Sequence, residues 1–330
     1  MKMKTKISAF SRFWCVLASA VFCHIMLTPT ARAEAPVAQI APVSTGRLEL
    51  LVLGSGGPGA TGRASSSYLI LLDHVPRILV DAGPGSFARL GEAGVSISRT
   101  DIVLLTHLHI DHVGELPGLF KARAVSGGGA IHFRVFGPEG RAGKGDNATF
   151  PSTSRLIHLL FDKDGAFGYL SDFSAPMTID AHNLSTALKP KQKPTTILTE
   201  GELTISAIAG HHRDAPAVIY RVDYAGKSIT FSGDIDAEGL ADLREIAHGT
   251  DLLVFNTVVL DPPGSPEILY TLHTPPKAIG ELASAAEVGQ LLLSHLSPAV
   301  DHARAEVETS IAASYKGPLR FAEDGLRVAP

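Results

Sequence analysis

Residues 107–112 contain three histidines and one aspartate in the pattern H-x-H-x-D-H. They follow the apolar run DIVLL and precede a predicted helix that begins near Gly114. Three imidazoles and a carboxylate are costly to bury at the end of a strand unless something binds them. Imidazole nitrogen and carboxylate oxygen are ligands that suit zinc. The stretch therefore predicts a metal-binding loop in which His107 and His109 face one ion, while Asp111 and His112 face another.

The first 33 residues have the pattern of a secretory signal peptide. Basic residues between Lys2 and Arg12 precede an apolar run over residues 13–27, and residues 31–33 form an A-x-A cleavage site. We expect cleavage after Ala33, a periplasmic or secreted protein and no stable membrane anchor. An uncleaved N-terminal anchor is the alternative, whereas Cys23 lacks the preceding residues that a lipid-attachment site needs. Residues 34–46 are rich in Pro and Ala and are expected to form a linker.

Cleavage would change the composition in ways that limit the chemistry. It would remove both cysteines, the single Trp and five basic residues but no acidic residue, so the formal net charge would move from −4 to −9. Disulfides and cysteine ligands would then be excluded, and a metal site would have to use His and carboxylates. No G-x-S-x-G motif marks a serine nucleophile. The acidity argues against a nucleic-acid partner, and a small-molecule ester is expected instead. A homodimer is compatible with the sequence.

The elements that must position these residues alternate along the rest of the chain. Apolar, β-branched or Leu-rich runs that end in Gly or polar residues predict buried strands, and short amphipathic segments between them predict helices. Strand-rich halves with outer helices favour a mixed α/β (α+β) domain over residues 47–330, built as a four-layer αββα sandwich. Residues 137–194 break this rhythm. They predict a lid-like insertion whose aromatic residues either cover the metals or pack as a secondary core.

The H-x-H-x-D-H stretch resembles the signature of the metallo-β-lactamase fold, and further motifs of that family match in order. LVDAGPG places Asp81 where it would orient a ligand imidazole. HHRDAPAVIYR resembles the third metal motif, in which the spacing to Pro216 and Tyr220 selects His212 over His211. FSGD and LLLSHLSP supply the last two positions, Asp234 and His295.

The resemblance covers roughly residues 47–300 and implies two divalent metal ions. Zinc is favoured, with manganese or iron as alternatives. One ion would be held by His107, His109 and His212, the other by Asp111, His112 and His295, with Asp234 as the bridge. Ions about 3.5–4 Å apart can share a hydroxide that attacks an ester. Asp111 is expected to orient that hydroxide or to take its proton.

The ester class is predicted from the branch of the family. β-Lactam hydrolases of this fold lack the bridging Asp, so Asp234 argues against penicillins. The Gly-rich stretch 53–70, which contains Arg63, and HRDAPAVIYR resemble the ribonuclease Z, arylsulfatase and phosphodiesterase branch. The glycines either cradle an oxyanion or make a tight strand connection. We expect an exported hydrolase of phosphodiester or sulfate ester bonds. Alternatives are a lactonase or other carboxylic ester hydrolase, a ribonuclease Z-like endonuclease and a non-catalytic metal-containing ligand-binding protein.

One departure from that branch concerns proton transfer. Ribonuclease Z relatives carry an H-E-A-T stretch whose Glu and His form a proton relay, but residues 253–258 read LVFNTV. His273 could enter the site as an alternative acid for the leaving group, or could be a surface histidine before a helix. The basic arm that captures transfer RNA in those relatives is not evident either. KPKQKP, residues 189–194, is the one basic cluster.

Overall fold

The computed structural model describes residues 46–59, 61–127, 129–143, 149–172 and 176–330. The predicted signal peptide and nearly all of the predicted linker lie outside the described residues. All strands and helices given for the protein lie within these described ranges.

Two seven-stranded sheets form the centre of the molecule. The strands of the first sheet are β1 Leu48–Gly54, β2 Ser67–Leu72, β3 Val75–Ala82, β4 Ile102–Leu104, β5 Ile131–Pro138, β6 Met177–Leu184 and β14 Arg327–Val328. The strands of the second are β7 Thr195–Glu200, β8 Leu203–His212, β9 Ala215–Tyr224, β10 Lys227–Phe231, β11 Leu252–Asn256, β12 Gln290–Ser294 and β13 Leu319–Phe321. Their spatial orders are β14-β1-β2-β3-β4-β5-β6 and β13-β12-β11-β10-β9-β8-β7.

The helices lie in two groups along the chain. Those of the first half are α1 Ser86–Ala93, α2 Ile110–Val113, α3 Leu116–Val125 and α4 Thr153–Phe161. Those of the second half are α5 Leu240–Ala247, α6 Pro276–Ala285, α7 Pro298–His302 and α8 Arg304–Ala312. Short 3-10 turns occupy Gly168–Asp172, Ala237–Gly239 and Glu267–Thr271. No helix in the described part of the chain is long and apolar enough to cross a membrane.

Three apolar clusters show how the layers pack. One cluster lies between the sheets and joins Leu50 and Ile70 of the first sheet to Tyr220 and Val254 of the second. A second cluster packs the outer face of the first sheet against α1, α3 and α4. A third packs the outer face of the second sheet against α5, α6 and α8. Because strand side chains alternate between faces, each buried sheet supplies both a central and an outer cluster. The predicted αββα sandwich is confirmed.

Residues 137–194 contribute to the first sheet and to its outer layer. This segment contains α4 and β6, and the side chains of Ile157, Phe161 and Leu170 are buried in the cluster on the outer face of the first sheet. Phe150 lies elsewhere, with its ring 6.2 Å from the ring of His109. Phe161 therefore belongs to a packed core, whereas Phe150 lies at the edge of the predicted metal site.

Candidate metal centre

The H-x-H-x-D-H loop starts where β4 ends. Thr106 N–H donates to Asp81 Oδ1 at 2.8 Å, and Thr106 Oγ1 donates to Asp81 Oδ2 at 2.8 Å. The short helix α2 then begins at Ile110, so Asp111 and His112 turn back into the interior, where both are buried. The strand end and the helix start thus bring residues 107–112 to one buried location.

Asp81 fixes the orientation of one imidazole. Its carboxylate Oδ2 lies 2.8 Å from His112 Nδ1, which places the ring N–H in position to donate. His112 Nε2 is then directed into the cluster, where it is buried with no hydrogen-bond partner among the described residues. An oriented imidazole with an unpaired buried nitrogen is the arrangement that a metal ligand requires.

The end of β8 brings His212 to the same location and turns His211 away. His212 Nδ1 donates to Leu272 O at 2.8 Å, which leaves Nε2 free. His211 Nδ1 instead contacts both carboxylate oxygens of Asp236, at 2.7 and 2.8 Å. Of the two adjacent histidines, His212 is the one that joins the cluster.

Asp234 Oδ2 occupies the middle of the cluster. It lies within 4 Å of the Nε2 atoms of four buried imidazoles, at 3.9 Å from His107, 3.7 Å from His112, 3.8 Å from His212 and 3.5 Å from His295. One carboxylate oxygen is therefore near histidines from both predicted ligand groups.

The cluster contains three sets of possible ligand residues. Within each set, the ligand atoms all lie within 4.8 Å of one another. The sets are His107, His109 and His212; His107, His112 and Asp234; and Asp111, His112 and His295. The first and third sets are the groups expected for the two ions, and Asp234 stands between them. Together with the fold, the clustered His and Asp side chains indicate a dinuclear divalent metal site.

The protonation of these groups fits a cation site. Burial lowers the pKa of His107 well below its usual range, and it also lowers the pKa of His109 and His212. Burial acts to raise the pKa of Asp234, but His295 and His112 outweigh it and hold the pKa well below its usual range. Neutral imidazoles and an ionised carboxylate are the forms that bind metal.

His112 differs in its protonation. Burial disfavours its charged form, but the carboxylates of Asp81 and Asp234 outweigh burial and raise its pKa. A metal ion would therefore displace a proton from His112 on binding.

His273 faces the cluster without belonging to any of its ligand sets. The side chain is buried, and Nδ1 lies 4.0 Å from Asp234 Oδ2 with no hydrogen-bond partner among the described residues. Its ring centroid is 5.5 Å from that of His212. Burial lowers the pKa of His273 to about 4, so the imidazole is neutral near pH 7. The structure thus places this predicted catalytic residue beside the centre and away from the surface.

The Gly-rich stretch packs closely against the centre. Gly57 lies so near His295 that a Cβ atom added there would stand 2.8 Å from Cε1 of the imidazole. Arg63 points elsewhere and pairs with both carboxylate oxygens of Asp301, at 2.9 and 3.0 Å. The observed contact of this stretch with the site is therefore the packing of Gly57 on His295.

The sequence matches the family model described as a beta-lactamase superfamily domain over residues 76–296. That range contains every residue of the cluster. The chain belongs to this superfamily.

Relatives of this superfamily member include ribonuclease Z of Mycobacterium avium strain 104, which is 28% identical over 291 residues and covers 85% of this chain and 98% of the relative. Ribonuclease Z of Mycobacterium marinum is 27% identical with the same coverage.

Among solved structures, human tRNase Z, short form, has a TM-score of 0.63 and 19% identity, covering 85% of this chain and 98% of the other. Yeast PDE1 has a TM-score of 0.60 and 13% identity, covering 86% and 99%. The likeness to these two structures shows the fold alone. The chain is thus a metallo-β-lactamase-fold hydrolase with relatives named ribonuclease Z.

Two contacts of this superfamily site were not foreseen from the sequence. Asn256 Nδ2 donates to Asp234 Oδ1 at 2.7 Å, and the carbonyl of Leu272 orients His212. A polar residue at the end of the apolar run DLLVFN is a signal that could have identified Asn256. The Leu272 carbonyl is a backbone group, so no side-chain pattern could have indicated it.

Proposed function

We propose that this protein hydrolyses phosphodiester bonds with two divalent metal ions, for which zinc is the favoured identity. The observation that best supports this proposal is the position of Asp234 Oδ2 among imidazoles from both ligand groups. A carboxylate placed between the two groups could serve two ions held close together, and such a pair would activate water and polarise the substrate. The curated relatives, named ribonuclease Z, favour a phosphodiester over a sulfate or carboxylic ester.

Asp111 is the proposed partner of the attacking water. Its carboxylate Oδ2 lies 3.1 Å from His295 Nε2, at the face of the second ligand group. Burial acts to raise its pKa, but the hydrogen bond with His295 and the nearby imidazoles lower it, so the group is ionised at neutral pH. We propose that Asp111 orients the attacking water and accepts its proton.

His273 is proposed to assist the leaving group. Its Nδ1 faces the centre, and no protein group in the described ranges satisfies this nitrogen. Because the imidazole is neutral, it would use an N–H to donate a hydrogen bond to the leaving-group oxygen as negative charge develops. This contact would take the place of the His-Glu relay that the chain lacks.

The leaving group is proposed to carry an apolar or aromatic part. Phe150 presents its ring 6.2 Å from the ring of His109 and so lines one side of the centre. Arg141 lies over the same ring, 6.0 Å from its centroid. An aromatic ring beside a metal site offers a surface on which an aryl or nucleobase group can stack.

The proposal is tested by a panel of aryl phosphodiesters, aryl sulfates and lactones, assayed with zinc and with manganese. We expect turnover of a bis-aryl phosphodiester that exceeds turnover of the sulfate and the lactone. The matched control is the double variant Asp111→Ala, His112→Ala, which removes two of the three side chains expected to hold the second ion and should be inactive. Absence of turnover above that variant for every phosphodiester would overturn the proposal.

A ribonuclease Z-like endonuclease is the second candidate, favoured by the names of the relatives and by coverage of up to 98% of their length. Against it stand the replaced relay segment and the negative net charge. The two candidates are separated by adding a transfer RNA precursor to the same panel. Hydrolysis of the small diester without cleavage of the precursor supports the first candidate, and efficient cleavage of the precursor supports the second.

A further inference from the structure

Asn256 ends β11, between the two strands that deliver the last ligands of the centre. Strand β11 pairs in parallel with β10 on one side and with β12 on the other. Asp234 follows the end of β10 and His295 follows the end of β12. Asn256 is buried and is the polar residue that closes an otherwise apolar strand.

The contacts of Asn256 fasten the turn that carries Asp234 at two points. The side-chain Nδ2 donates to Asp234 Oδ1 at 2.7 Å. The backbone N–H of Asn256 donates to Ser232 Oγ at 3.1 Å, and that hydroxyl donates in turn to Gly233 O at 2.7 Å. One residue of β11 therefore holds both the beginning and the end of the segment Ser232-Gly233-Asp234.

We infer that Asn256 is a positioning residue that sets the carboxylate plane of Asp234 for metal binding. With Oδ1 held by the amide, Oδ2 is the oxygen turned toward the imidazoles, where it lies 3.5 Å from His295 Nε2 and 3.7 Å from His112 Nε2. A partner that orients a ligating carboxylate in this way commonly changes metal affinity by about 10–100-fold.

The residue type fits this role. An amide donates to a carboxylate without adding charge, so it neither repels Asp234 nor competes with it for a cation. An apolar side chain at this position would leave Oδ1 buried without a donor. A carboxylate would place two negative charges in contact. The end of β11 lacks the His-Glu relay of ribonuclease Z relatives. In this chain it orients the carboxylate of Asp234 and does not transfer a proton.

This inference rests on the metal centre of the proposed function and not on its substrate, so the test is a binding measurement. The isosteric variant Asn256→Leu removes the donor and keeps the volume. The control Thr230→Val removes a buried hydroxyl from β10 that bonds to Thr250 Oγ1 and touches nothing in the centre. Metal-free proteins compete with a chromophoric chelator for Zn²⁺, and their Co²⁺ forms are compared by absorption spectroscopy.

We expect Asn256→Leu to weaken Zn²⁺ binding by about 10–100-fold and to alter the Co²⁺ spectrum, while Thr230→Val retains both. Equal binding and equal spectra in wild type and Asn256→Leu would overturn the inference while leaving the proposed function intact. Wild-type protein that binds no metal would overturn both. If Asn256→Leu does not fold, Asn256→Ala, which leaves more room, decides the question by the same measurements.

Discussion

At the scale of single residues, the site depends on close packing around His295 as well as on ligand identity. This residue has a positive φ of 55°, and its ring is wedged between Gly57 on one side and the cluster on the other. A side chain at residue 57 would have to displace either the Gly-rich backbone or the imidazole. Glycine is therefore needed here for a close approach between backbone and ligand.

Gly57→Ala is expected to push His295 out of its ligand position and to weaken the ion held by Asp111, His112 and His295. The physical reason is the 2.8 Å contact between the new Cβ atom and Cε1 of the imidazole. Metal content per chain, measured after dialysis against a weak chelator, should fall from two ions toward one. Gly59→Ala is the control, because among the described residues its Cβ would meet a side-chain methyl of Thr61, at 3.2 Å, and no atom of the metal centre. Equal metal content in the two variants would contradict the account.

His273→Ala is expected to lower kcat by roughly 10²–10³-fold while both ions stay bound. The loss should grow as the leaving group becomes poorer, since the proposed hydrogen bond acts on charge that develops on the leaving oxygen. Rates for a series of aryl phosphodiesters with different phenols, together with metal analysis, check this. A uniform loss across the series, or loss of metal from the variant, would show that His273 acts in another way.

At the scale of elements, the ends of the strands and a few long-range contacts determine where the side chains of the site lie. Asp324, near the C-terminus, accepts hydrogen bonds from Ser55 N at 3.0 Å, from Ser55 Oγ at 2.7 Å and from Ala64 N at 2.8 Å. It also accepts from Arg89 Nε at 2.9 Å. Asp324 thereby holds Ser55 and Ala64, which lie on either side of Gly57 within the Gly-rich stretch.

Asp324→Ala should lower the free energy of unfolding by about 2–3 kcal/mol, because it leaves several donors without their acceptor. Urea denaturation followed by circular dichroism measures the change. Glu323→Gln is the matched control: Glu323 is 56% exposed and pairs with Arg63 and Arg304 near the surface, where such pairs contribute little. Similar losses in the two variants would argue against a special role for Asp324.

The elements also show what the sequence could and could not predict. The runs DIVLL, TFSGD and LLLSH mark strand ends, and each leads to ligands that the structure brings together, because polar residues after buried strands need a partner. The polar end of the run DLLVFN marks Asn256 as a residue of interest, but its partner Asp234 could not be predicted, nor could the packing of Gly57 on His295, since both depend on contacts between segments far apart in the chain. The division of residues 137–194 between α4, β6 and the edge of the site was hidden for the same reason: Phe161 packs on the first sheet and Phe150 lies beside His109 because of contacts that the local sequence does not encode.

At the scale of the whole molecule, we propose that the protein is exported. The basic start, apolar run and A-x-A motif within residues 1–33 support it. We expect protein purified from a periplasmic or culture-supernatant fraction to begin at Glu34 when its N-terminus is sequenced. Recovery of the chain from the cytoplasm with Met1 or Lys2 at its start would contradict the proposal.

We propose that two metal ions held around Asp234 make this protein a phosphodiester hydrolase. The most direct measurement titrates metal-free protein with Zn²⁺ while the hydrolysis of a bis-aryl phosphodiester is followed. We predict that the rate rises and reaches its plateau at two equivalents per chain, and that Asp234→Asn lowers the plateau or shifts it to higher metal concentration. A plateau at one equivalent, or hydrolysis that does not depend on added metal, would contradict the claim.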